Sequence, residues 1–248
     1  MSNPLLEVKN ISKTFDNNLY LDRVSFNINK GDFLVIAGSN GSGKTLLMKH
    51  LNGLYKINED SIFFNGEDCY KKEKIMKQRI GIVFQNPDTQ VVGLTVEDDV
   101  AFGPRNLGLS KDDVENVVTK TLTKMEILHL KESNPHTLSG GEKKRVTIAG
   151  VLAMSPQIII FDEPFIGLDY PGVIAVTKSL LELKKQGETI IVITHDLEKI
   201  LAYSSKVIIM SEGKIVNKGS AKDIIDTVEN WGIRRPIQND VKDMTWLI

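Results

Sequence analysis

An α/β fold is what these 248 residues predict: a core of mixed sheet and helices, an antiparallel β portion, and an inserted helical subdomain. Three observations predict it. Short β-branched runs recur along the chain, and helical patterns lie between them. One long stretch, from roughly Asn86 to Gly150, carries no strong strand pattern. The expected boundaries are a single domain over 5–230, with the core at about 5–85 and 155–220. The helical subdomain falls at about 86–150 and a short tail at 231–248.

The elements follow in order. "LEVKNI", "RVSFNI" and "SIFFNG" read as strands, and the mix of alternating and two-sided runs along the chain suggests exposed antiparallel strands plus a buried parallel set. "FLVIA" is apolar throughout, as are "IIIFD" and "IIVIT" nearly so, and these suit central parallel strands buried on both faces. "RIGIVF" and "KVIIMS" complete the set. Ser110 opens a helix with Asp113 at the capping-box position and Val114, Val117, Val118, Leu122 and Met125 on one face. Ser139 and Glu142 mark a second helix start, residues 172–185 a further amphipathic helix. "VIIMSEGKIVNKG" is a hairpin turning at Glu212-Gly213.

Composition narrows the function. A formal net charge of -1 argues against broad attraction to nucleic acid or anionic lipid. The single cysteine, Cys69, excludes an internal disulfide framework and a cysteine-based zinc site. No apolar run approaches the ~20 residues that span a bilayer, and residues 1–20 carry no signal-peptide pattern. The expectation is a soluble cytosolic chain whose membrane role, if any, comes through another subunit.

The chemistry is concentrated in a few places. Gly38-Ser39-Asn40-Gly41-Ser42-Gly43-Lys44-Thr45 follows a predicted strand and precedes a predicted helix, the setting of a phosphate-binding loop. Its backbone N–H groups can wrap a polyphosphate. Lys44 would neutralise the β- and γ-phosphates of a nucleoside triphosphate, and the Thr45 hydroxyl would bind Mg²⁺. "IIIFDEP" delivers Asp162 and Glu163 to the carboxyl edge of the same sheet. Asp162 can hold Mg²⁺ through water, and Glu163 can deprotonate an attacking water. Gln85 and His195 each end a parallel strand and so point to that edge. In "LSGGE" the helix would begin on two residues that each cost it ~1 kcal/mol relative to alanine. A capping box explains Ser139 and Glu142 but not Gly140 and Gly141.

In this order the pieces resemble the ATP-binding cassette (ABC) ATPases, over about residues 5–220. The resemblance identifies Gln85 as the glutamine loop, a Mg²⁺ and nucleotide contact, and 138–142 as the signature. It makes "GLD" at 167–169 the D-loop and His195 the switch histidine. It implies that Phe15 stacks on adenine, with Tyr20 as the alternative. It also implies that the signature of one cassette, Ser139 to Glu142, covers ATP held by the phosphate loop of another. On that reading the two glycines leave room for a γ-phosphate. Position 142 departs from the family, whose commonest residue there is glutamine.

"IGIVFQNPDTQVVGLTVEDDVAFGPRNLGLS", with "SGGEKKRVTIAGVLAM", is similar to the ATPases of energy-coupling factor (ECF) importers and their cobalt, nickel and biotin relatives. That implies a second cassette, identical or paralogous, and an integral-membrane subunit docking near residues 86–106. It implies a substrate-binding membrane subunit reached through the complex, no nucleic acid, and a peripheral location on the cytoplasmic face of the membrane. Glu97, Asp98 and Asp99 are expected either to meet basic residues of that subunit or to complement their own helix. The alternatives are the ATPase of another ABC transporter class, a non-transport ABC ATPase, or a subunit that only holds ATP.

Overall fold

The structure, a computed structural model, describes residues 3–16 and 18–237. In chain order its strands are β1 (Leu6–Phe15), β2 (Asn18–Ile28), β3 (Phe33–Ala37), β4 (Ile62–Phe64), β5 (Glu67–Asp68), β6 (Ile80–Val83), β7 (Ile158–Asp162), β8 (Thr189–Thr194), β9 (Lys206–Ser211) and β10 (Lys214–Gly219). The α-helices are α1 (Lys44–Leu51), α2 (Glu73–Arg79), α3 (Val96–Asn106), α4 (Lys111–Lys124), α5 (Gly140–Ala153), α6 (Tyr170–Lys185) and α7 (Ala221–Ile225). The tail expected from 231 lies outside the described residues from 238 onward. No helix among the described residues is long and apolar enough to cross a membrane.

Two sheets are formed. The smaller has the order β2-β1-β4-β5 and is antiparallel. The larger has the order β10-β9-β3-β8-β7-β6; β9, β3, β8, β7 and β6 run parallel, and β10 joins the edge antiparallel. The β9–β10 turn uses Glu212 at φ 47° and Gly213 at φ 76°, the left-handed pair a two-residue hairpin demands.

The parallel strands are buried on both faces, and their side chains alternate between two cores. Phe33 and Val35, Ile159 and Phe161, Ile190 and Val192 pack with α3 to α7 on one side. Leu34 and Ile36, Ile158 and Ile160, Ile191 and Ile193 pack with α1, α2 and the smaller sheet on the other. Burying a Val or Ile side chain contributes ~1.5–3 kcal/mol, which is why these strands tolerate almost no polar residue before their ends. Residues 86–150 hold α3, α4 and most of α5 and no strand, and α5 continues to Ala153. What this arrangement does for chemistry is bring the carboxyl ends of β3, β6, β7 and β8 to one edge.

Candidate active site

The loop after β3 turns into α1 through Gly43, whose φ of 97° belongs to the left-handed region. A Cβ there would stand 3.0 Å from Leu21 Cδ2 and 3.1 Å from the Tyr20 carbonyl, so glycine is required twice over. α1 begins without a side-chain cap and with no acidic residue in its first turn. By contrast α3 to α7 are capped by Thr95, Ser110, Ser139, Asp169 and Ser220. The first N–H groups of α1 are thereby left for an anion, whose charge the helix dipole favours. Lys44 lies folded along its own loop, with Nζ donating to Gly38 O at 2.7 Å, Ser39 O at 2.9 Å and Ser42 Oγ at 3.3 Å. Burial draws its pKa down, and the charges of Glu163 and Asp162 push it back up. Thr45 stands exposed at the start of the helix.

Asp162 ends β7, buried. Burial and the adjacent Glu163 charge raise its pKa, against the opposing pull of Lys44 and Lys144. Glu163 has φ 44°, left-handed for a residue with a side chain, and its N–H donates to Ile193 O at 2.9 Å. That bend carries its carboxylate across to the end of β8. There Oε2 accepts from Thr194 Oγ1 at 3.0 Å, and Oε1 accepts from the His195 N–H at 3.1 Å. His195 Nδ1 lies 2.7 Å from the same Oε1, and its side chain remains 45% exposed. Two donors and the His195 ring beside them thus orient a nearly buried carboxylate, an arrangement suited to a general base.

Gln85 begins the loop after β6, with its side chain exposed. The base of that loop is closed by Gln90, which accepts from Phe84 N–H at 2.9 Å and donates to Ile82 O at 3.0 Å. Lys144 of α5 donates to the carbonyls of Phe84 and Gln85, both at 2.8 Å. Burial lowers its pKa to about 8, opposed by Asp162. Sequence reasoning passed over Lys144. The available signal was its place on the buried stripe of α5, four residues before Ile148 and seven before Val151.

Phe15 and Tyr20, the two adenine candidates, belong to one aromatic group. Their ring centroids are 5.6 Å apart, edge to face. Tyr55, which sequence reasoning did not single out, adds a ring 5.9 Å from Phe15 and is itself stacked on His50 at 5.1 Å.

The signature region forms a second, separate cluster. Ser139 Oγ accepts from Glu142 N–H at 3.3 Å, while Glu142 Oε2 accepts from Ser139 N–H at 3.0 Å and lies 2.6 Å from Ser139 Oγ. The capping box is complete, and Glu142 turns back on its own helix. The two glycines have different reasons. At Gly141 a Cβ would meet Gly172 Cα at 3.0 Å, so the close packing of α5 on α6 favours glycine there. At Gly140 the nearest atom would be Leu168 Cδ2 at 3.4 Å, an ordinary contact, so packing leaves that glycine unexplained. Gly141 thus has a packing reason beside the expected approach of a nucleotide. A groove of ≈420 Å³ runs between Ser139–Glu142 and Gly167–Asp169. Among the described residues, no hydrogen bond or ion pair joins this cluster to Lys44, Asp162, Glu163 or His195.

Of the two expectations for the acidic triplet, the structure fits the internal one, each member having a partner within the chain. Glu97 pairs with Lys131 at 3.1 Å, Asp98 bonds Thr95 Oγ1 and Arg105, and buried Asp99 accepts from Val92 and Gly93 N–H at 2.7 and 3.0 Å. They serve the first turn of α3 and the turn before it. Beside exposed polar residues such as Asp88 and Arg105, residues 86–109 also present apolar side chains: Val92 at 62%, Leu94 at 84% and Phe102 at 54%.

A phosphate loop, a strand-end carboxylate pair and a histidine at one edge of a parallel sheet define a nucleotide-hydrolysing cassette of the P-loop class. The profile of the ABC transporter family matches residues 21–166. The chain belongs to that family, and it is an ATPase that binds ATP. It is similar to the energy-coupling factor transporter ATP-binding protein EcfA of Methanococcus maripaludis, 41% identical over 239 residues, which cover 94% of this chain and 86% of the relative. The protein of the same name from Methanocaldococcus jannaschii is 42% identical over 217 residues, 86% of this chain and 78% of its own length. Among solved structures, cbiO1 from Clostridium perfringens, described as part of the ABC transporter complex cbiONQ, gives a TM-score of 0.84. It is 36% identical, covering 92% of this chain and 93% of that one. An ABC transporter cassette in its ADP conformation gives 0.82 at 29% identity, covering 94% and 97%.

Proposed function

We propose that this ATPase powers uptake of a vitamin or a transition-metal ion, as the cassette subunit of an ECF-type importer working beneath a membrane partner. The similarity to EcfA proteins and to cbiO1 supports the transport class. The mechanism rests on one observation: the phosphate-loop cluster and the signature cluster are separate within a chain, each lacking the other's chemistry. Two cassettes closing head to tail complete both, with ATP between them.

In that closed pair Gly38 to Thr45 and the start of α1 hold the triphosphate, with Phe15 or Tyr20 against the base. Lys44 exchanges its loop carbonyls for phosphate oxygens. Among the described residues no three His, Cys, Asp or Glu could hold a metal by themselves. Thr45, Gln85 and Asp162 are oxygen donors of the kind Mg²⁺ favours and would hold it beside the triphosphate. The ion would neutralise charge on the β- and γ-phosphates. Glu163 takes a proton from the attacking water, and His195, tied to it, faces the phosphoryl group. Ser139 and Gly140 of the second cassette meet the γ-phosphate. The helical stretch of about 86–150 moves with closure, and the apolar face of Val92, Leu94 and Phe102 carries the motion to the membrane subunit.

Glu163→Gln should bind ATP without hydrolysing it. Light scattering with MgATP is expected to give twice the mass seen without nucleotide. A chain that binds ATP and stays monomeric would refute self-pairing and require a different second cassette.

A further inference from the structure

Lys144 sits between the two clusters and has no part in the mechanism above. Its relative exposure is 0%, a burial lysine seldom reaches unless it is paired. Among the described residues it makes no ion pair; its partners are two neutral carbonyls, Phe84 O and Gln85 O, both at 2.8 Å. Successive carbonyls of a strand point to opposite sides. For two of them to converge on one ammonium, the chain must have left the strand and bent, and the ammonium holds that bend. A methionine or leucine would fill the same volume without burying a charge, so core packing alone does not account for a lysine here. One residue earlier on the same helix, Lys143 Nζ reaches Asp88 Oδ1 at 2.6 Å. The loop that starts at Gln85 is therefore fastened to α5, the helix that begins at Ser139.

We propose that Lys144 is a positioning residue for ATP hydrolysis: its ammonium grips the Phe84 and Gln85 carbonyls and so sets the Gln85 side chain toward the metal and tethers it to the signature helix. The inference rests on the reading of Gln85 as a Mg²⁺ contact. It predicts that Gln85 follows α5 when the helical stretch moves.

The experiment compares Lys144→Met, Lys144→Gln and Gln85→Ala with the unaltered chain. Amide hydrogen exchange over residues 84–90 without nucleotide reads the grip directly. Binding of a fluorescent ATP analogue in EDTA reads the phosphate loop, and ATPase assays across a Mg²⁺ series read the metal. Lys144→Met is expected to speed exchange at 84–90 at least tenfold and leave analogue binding within twofold. It should lower kcat about tenfold and raise the Mg²⁺ concentration for half-maximal rate severalfold. Lys144→Gln, which keeps two donors on a shorter stem, should recover part of each change, and it carries the comparison if Lys144→Met does not fold. A fall in thermal stability with exchange and Mg²⁺ dependence unchanged would overturn the proposal and leave Lys144 a packing residue. If Gln85→Ala shifts the Mg²⁺ dependence and neither Lys144 variant does, the proposal alone fails. If Gln85→Ala shifts nothing, the metal reading of Gln85 fails and takes the proposal with it.

Discussion

Two adjacent glycines of the signature can be separated by one methyl group each. A Cβ at position 141 runs into Gly172 at 3.0 Å, backbone against backbone, where neither helix can yield cheaply. Gly141→Ala is expected to destabilise the chain by ~1–3 kcal/mol, as overpacking does. Gly140→Ala meets only ordinary contact and should leave thermal stability nearly unchanged while removing the ATP-dependent dimer of the Glu163→Gln background. Thermal melts and light scattering on the same samples check both. Equal loss of stability in the two variants would mean that neither glycine is reserved for nucleotide. At this scale the sequence was most legible where chemistry dictates residue type: Lys44, Asp162, Glu163 and His195 meet at one edge as expected. The left-handed backbone of Glu163 and the packing demand at Gly141 were not legible, because both are set by neighbours more than 25 residues away in sequence.

Among the elements, α5 shows how a local signal and a tertiary one can share a helix. Its cap was readable from Ser139 and Glu142 three residues apart, and the box forms as the spacing requires. The Ser139 hydroxyl, then its N–H, hold the Glu142 carboxyl below the ordinary value of 4.5, against the effect of burial. A carboxyl depressed on folding stabilises in full above its unfolded value, and that stabilisation is lost as pH falls through the folded one. Glu142→Gln keeps the acceptor of the box and loses only its charge, so it should lower stability by ~0.3–1 kcal/mol at pH 7, the usual size of a charge near a helix N-terminus. The gap between the two proteins should narrow as pH drops below 4.5, followed by thermal melts across that range. A gap independent of pH would assign the cap to geometry rather than charge. The parallel strands were legible as unbroken apolar runs, and α4 from its spacing. α2 and β5 were not, since seven residues and two residues carry too little periodicity to register.

At the scale of the whole molecule, function depends on surfaces that a single chain leaves open. Residues 86–109 present Val92, Leu94 and Phe102 to solvent while each acid of the triplet has a partner within the chain, so the docking face proposed there would draw on apolar contact more than on those three charges. Leu94→Glu should leave the melting temperature within the small range of surface substitutions, ~0.5 kcal/mol, and abolish co-purification with the membrane subunit. Retention of that subunit would move the docking face elsewhere. The class and the reaction were legible in motif order; the fate of the acidic triplet was not, because charge in sequence does not reveal which carboxylates a fold will consume. The order of the large sheet has a further consequence, one of timing. β3, which leads into the phosphate loop, lies between β8 and β9, strands made some 150 residues later. At ~5–20 residues per second on the ribosome, Phe33 to Ala37 wait ~10–30 s with both edges open. The phosphate loop is thus made long before the strands that frame it, and its setting is finished only once β8 and β9 have followed.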